Sequence, residues 1–111
     1  MELGLTGKVA IVTGGSRGVG RAIAIALLRE GAHVMITARD AARLEATREA
    51  LSRGGGVVRA VTADLSRDAD ARTLVDATLG AFGQIDIHVN CAGTVNPADF
   101  MSLTEERWSV V

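Results

Sequence analysis

Residues 11–20, IVTGGSRGVG, set four glycines and one arginine between a β-branched apolar run and a helical pattern. Glycine adopts positive φ without steric cost and lets other groups close on the backbone, so such a cluster marks a tight turn from strand into helix. The run that leads in, VAIVT (residues 9–13), is short and nearly unbroken, and reads as a strand buried on both faces. VGRAIAIALLREG follows, with Ile23, Ala26 and Leu27 on one helical face and Gly31 placed as a left-handed cap.

The same alternation continues along the chain. HVMIT (33–37) is a second strand. AARLEATREALSR places Leu44 and Leu51 among Arg43, Glu45, Arg48 and Glu49, which predicts a helix with one wet side, ended by the glycines at 54–56. VVRAVTA (57–63) is a third strand, and Asp68 to Phe82 carries a helical stripe of Ala71, Leu74, Val75, Thr78 and Phe82 that stops at Gly83. IDIHVN (85–90) is the fourth strand; beyond Pro97, TEERW opens another helix with Thr104 as N-cap and Glu105 and Glu106 in its first turn. Strands joined by helical crossovers run parallel, and right-handed crossovers give an α/β, Rossmann-type doubly wound sheet in the order 3-2-1-4. With 111 residues and neither repeat nor linker, residues 1–111 read as one domain.

Bulk properties exclude several partners. A net charge of −1 provides no field for nucleic acid or an anionic membrane, and no apolar run reaches the roughly 18 residues of a membrane span. Cys91 is the only cysteine, so an internal disulfide is ruled out and a reducing, cytoplasmic setting fits. His33 at a strand start and His88 in a strand are too far apart to suggest a metal site; His88 reads as a core histidine and Cys91 as a buried packing residue.

In a doubly wound sheet the ligand crevice lies at the carboxyl ends of the strands, beside the first strand. Gly14, Gly18 and Gly20 fall there. One glycine permits the turn, one lets a phosphate approach the backbone, and one allows close helix packing, while the exposed helix amides and the Ser16 hydroxyl offer donors to a pyrophosphate. A glycine loop also serves a bare turn, but its place directly after the first strand weighs toward a dinucleotide.

The spacing, Gly-x3-Gly-x-Gly, differs from the commoner Gly-x-Gly-x-x-Gly, and TGGSRGVG (13–20) resembles the signature of the short-chain dehydrogenase/reductase family. ADL (63–65), NCAG (90–93) and LTEERW (103–108) agree with that family in order and spacing, so the resemblance spans nearly the whole chain. It implies that Ser16, Arg17, Gly18 and Val19 line the phosphates. It further implies that Asp64 and Leu65 meet the adenine, and that Asn90, Ala92 and Gly93 border the ribose and nicotinamide. Cys91 stands where the family usually has a second asparagine.

The second strand leads to Ala38 and Arg39, where NAD-preferring chains carry an acid. A guanidinium grips a 2′-phosphate through two parallel bonds of roughly 1.5–3 kcal/mol each, whereas an acid repels it. Arg39, with Arg17 approaching from the glycine loop, therefore points to NADP over NAD. The competing account of Arg39 is a solvated charge paired with Asp40.

The resemblance implies hydride transfer between the nicotinamide and an alcohol or carbonyl, performed with a serine and a Tyr-x3-Lys pair. The sequence contains no tyrosine, and its only lysine, Lys8, precedes the first strand. Asn96, Ser102 and Ser109 read as loop or capping residues, so no catalytic residue is assigned. Three accounts stay open: the cofactor-binding half of a longer dehydrogenase, a small non-catalytic nucleotide-binding module, and an inactive fragment. An open edge at the fourth strand favours the first, and predicts aggregation or pairing with a second chain.

Overall fold

The computed structural model describes residues 4–15 and 18–91. Seven elements alternate along them: β1 (Val9–Thr13), α1 (Gly18–Arg29), β2 (His33–Ala38), α2 (Ala41–Ser52), β3 (Val58–Thr62), α3 (Asp68–Phe82) and β4 (Ile87–Asn90). The four strands form one sheet in the order β3-β2-β1-β4, every pair parallel, as the alternating pattern requires. β1 lies between β2 and β4, with Thr13 opposite both Thr37 and Asn90.

All five residues of β1 are buried, which an unbroken apolar run demands of a strand covered on both faces. Successive side chains point to opposite faces, and each face builds its own core. Ile11 and Met35 join Ala71, Leu74, Val75 and Ile85 on the α3 side. Val12, Val34, Ile36 and Val58 join Ala24, Leu44 and Leu51 on the side of α1 and α2. Local signals set the helix ends: the Asp40 carboxylate accepts the Arg43 N–H at 3.1 Å to cap α2, and Gly83 closes α3 at φ 80°.

The structure corrects the expected faces in a few places. Ala26 is exposed, and the buried stripe of α1 is Gly20 and Ala24, flanked by half-buried Ile23 and Leu27. The helix sits so close to the sheet that only its smallest side chains fit beneath it. Phe82 is half-buried rather than core, packing on the α3 cluster with its ring 5.6 Å from that of His33.

β4 begins at Ile87, two residues later than the pattern suggests, and all four of its residues are half-buried. The Asp86 N–H still bonds the Val9 carbonyl at 2.8 Å, but the Val9 N–H goes to the Asp86 carboxylate, also at 2.8 Å. A side chain thus stands in for the backbone acceptor, and the ladder starts one step on. Because β4 is the outer strand of the described sheet, His88 is half-buried instead of core, and burial pushes its imidazole below the usual histidine range. Cys91, just beyond, is likewise half-buried. Among the described residues no helix is long and apolar enough to cross a membrane.

Leu74 has no exposed surface and joins α3 to the sheet. Leu74→Ala is expected to cost about 3 kcal/mol, read from the urea midpoint at unchanged slope; a loss under about 1 kcal/mol would contradict this packing.

Candidate functional site

The carboxyl ends of β1, β2, β3 and β4 lie along one edge of the sheet, and the residues singled out in the sequence gather there. Gly14 leaves β1 at φ 73° with its N–H on the Thr37 carbonyl at 2.9 Å. Gly18 opens α1 at φ 48°, and a Cβ built there would meet nothing within 4 Å. The first amides of α1, which have no partner within the helix, begin at this open side, and amides so placed can donate to an anion. No acidic residue occupies the first turn of α1 to compete for those donors.

Gly20 answers a different need. A Cβ there would run into the Gly14 carbonyl, lying 2.9 Å from its carbon, so helix and strand exit touch backbone to backbone. Gly15, not singled out in the sequence, is also crowded, by a side chain: a Cβ would sit 2.8 Å from Ile36 Cγ2. Val19 is 70% exposed beside this turn. Ser16 and Arg17, expected to line phosphates, lie outside the described residues, as do Ala92 and Gly93.

Arg39 is exposed at the end of β2. Asp40, its suggested partner, instead caps α2. Across the crevice lip the Ala63 N–H bonds the Ala38 carbonyl at 3.1 Å, which ties the end of β2 to the segment carrying Asp64 and Leu65. Asp64 is half-buried; its carboxylate accepts the Ser66 hydroxyl at 2.6 Å and the Ser66 N–H at 3.1 Å, and its own N–H donates to Asp70 at 2.7 Å. The Ser66 bonds, assisted by the nearby positive charges of Arg39 and Arg67, hold the Asp64 carboxyl below the usual aspartate range. Leu65 packs down onto the α3-side core and anchors the segment.

Asn90, the last residue of β4, is half-buried. Its side-chain oxygen accepts the Thr13 hydroxyl at 3.1 Å, with the Val89 carbonyl a second acceptor at 3.2 Å, and the Cys91 N–H donates back to that hydroxyl at 3.2 Å. Thr13 therefore sets the orientation of the Asn90 amide. Thr13 was legible only as the first letter of the glycine motif; Ser66 and Asp70 carry no sequence signal of their own. Among the described residues no group of His, Cys, Asp and Glu is arranged to hold a metal.

An aspartate whose folded pKa is lowered contributes stability above its unfolded pKa, and that contribution is lost as pH falls through the folded value. Ser66→Ala is expected to raise the Asp64 midpoint in a carboxyl NMR titration toward the ordinary aspartate value. An unchanged midpoint would mean that the Ser66 hydroxyl does not set it.

The geometry has counterparts among known proteins. A family model described as short chain dehydrogenase matches residues 8–111. An uncharacterized oxidoreductase of Methylorubrum extorquens is 44% identical over 105 residues, covering 94% of this chain and 42% of the relative. The apo glucose dehydrogenase of Caenorhabditis elegans superposes with a TM-score of 0.80 at 40% identity, over 93% of this chain and 49% of that one. A metagenomic short-chain oxidoreductase in complex with NADP gives 0.75 at 36% identity, over 90% and 50% of the two chains. A Burkholderia phymatum short chain dehydrogenase/reductase in complex with NAD gives 0.74 at 34%, over 76% and 30%. The chain spans half or less of the length of these proteins. A glycine turn with this spacing, a parallel sheet in this order and a match across residues 8–111 agree, and the chain belongs to the short-chain dehydrogenase/reductase family.

Proposed function

We propose that residues 1–111 form the NADP-binding unit of a short-chain oxidoreductase that transfers a hydride between NADP(H) and a small alcohol or carbonyl. The observation that carries this reading is the conjunction at the strand ends: an open glycine turn at an uncompensated helix N-terminus, with an exposed Arg39 where an NAD-preferring site holds an acid. In this reading Gly14, Ser16, Arg17, Gly18, Val19 and Gly20 hold the pyrophosphate, and Arg39 takes the 2′-phosphate. Asp64 and Leu65 border the adenine, and Asn90, Ala92 and Gly93 the nicotinamide half. Asp64, whose carboxylate accepts from Ser66, lies near enough to Arg39 to feel its positive charge.

The bound nicotinamide supplies the hydride donor or acceptor. The proton-transferring groups are assigned outside residues 1–111, since the sequence has no tyrosine and Lys8 lies just before β1, at the opposite end of that strand from the crevice. β4, the outer strand of the described sheet, is then the strand against which further sheet or a second chain pairs. A reducing, cytoplasmic setting suits the single Cys91.

Calorimetric titration with NADP and NAD tests the assignment. The expected outcome is at least tenfold tighter binding of NADP, and for Arg39→Ala a loss of about tenfold or more in NADP affinity with NAD affinity within about twofold of the parent. Equal affinities in the parent chain would overturn the preference for NADP, and binding of neither would overturn the nucleotide site.

A further inference from the structure

Thr37 is fully buried near the end of β2, and its hydroxyl has no hydrogen-bond partner among the described residues. Other threonines show how unusual this is. Thr73 and Thr78 return their hydroxyls to the carbonyls of Ala69 and Leu74, four residues back in α3, and Thr13 engages its hydroxyl with Asn90 and Cys91. A strand offers no carbonyl at that spacing. Valine would fill the same volume without burying an unmatched hydroxyl, and the neighbouring strand positions already use valine and isoleucine. A buried polar group left unmatched in a native fold calls for an explanation, and functional sites are where such groups concentrate.

Its position supplies one. Strand alternation puts Thr37 on the α3 side with Met35, one step nearer the crevice, and the register sets it between Thr13 and Val61. The Thr37 carbonyl receives the Gly14 N–H, and the next two residues, Ala38 and Arg39, form the lip tied to Ala63. Thr37 therefore underlies the place where the glycine turn, the end of β2 and the Asp64–Leu65 segment converge.

We propose that the Thr37 hydroxyl is part of the nucleotide site, matched through one enclosed water when the adenosine half of a dinucleotide settles under the Asp64–Leu65 segment. The inference rests on the nucleotide reading above and deepens it. The hydroxyl weakens the empty fold and is satisfied on binding, and because NAD and NADP share adenosine it acts on both alike. Arg39 discriminates between the two; Thr37 does not.

The test compares the full chain with Thr37→Val and Thr37→Ser, by thermal unfolding without nucleotide and by titration with NAD and NADP. Thr37→Val is expected to melt roughly 4–8 °C higher and to bind both nucleotides about five- to tenfold more weakly with their affinity ratio unchanged. Thr37→Ser is expected to keep the parent affinities. A valine variant that melts lower, fails to fold or binds as the parent does would overturn the inference while leaving the nucleotide site intact. A serine variant as weak as valine would overturn it too. A parent chain that binds neither nucleotide overturns both readings.

Discussion

The contact between Gly20 and the Gly14 carbonyl governs the geometry of the crevice end. With no side chain between them, the first turn of α1 is pressed against the exit of β1, and its amides are aimed along the strand direction. The same closeness selects Ala24 one turn on, since nothing larger fits between helix and sheet there. The bulk of Ile25, Leu27 and Leu28 is displaced to the flanks, where it packs against the α1/α2-side core. A steric demand at one glycine is thereby transmitted along α1.

Thr13 is a second tie, working across strands instead of along a helix. It closes β1 with its hydroxyl on the Asn90 side chain and its carbonyl on the Cys91 N–H at 3.0 Å. The exit of β4 is thereby fastened to the turn that begins at Gly14. On the other side of the sheet centre, Gly14 is fastened to Thr37 and Ala63 to Ala38. The crevice is thus a chain of backbone hydrogen bonds running across all four strand ends, and charged side chains such as Arg39 and Asp64 are displayed on a rim whose positions those bonds determine.

Strand order, the extents of the three described helices and the turn- and cap-forming glycines were legible because each follows from short-range pattern: unbroken β-branched runs, Leu44 and Leu51 on one side of a helix, and glycine at φ 84° at residue 31 and 80° at residue 83; the helix expected from Thr104 lies outside the described residues. What escaped depends on neighbours distant in sequence. Ala26 is small and apolar like a buried helical position, yet α1 buries Gly20 and Ala24 and leaves it exposed. His88 sits in an apolar strand, but its burial depends on what lies beyond β4. The pairing of Asp64 with Ser66 and Asp70 arises from a turn that no periodicity announces. Thr37 reads as an ordinary β-branched strand residue until its lack of a partner among the described residues is seen in three dimensions.

The placement of β1 at the centre of the sheet bears on how the chain is made. Its pairing with β2 needs only the first 37 residues, but its other edge is closed by a segment 77 residues away, where Asp86 meets Val9. At ribosomal rates of about 5–20 residues per second, that interval is roughly 4–15 s. For that time VAIVT, the first of these four strands to be made, presents an unpaired row of backbone donors and acceptors on an apolar strand, the kind of surface that associates with like strands. The first of the four strands to emerge is thus the last to be enclosed, and its open edge is the segment most exposed to mispairing during synthesis.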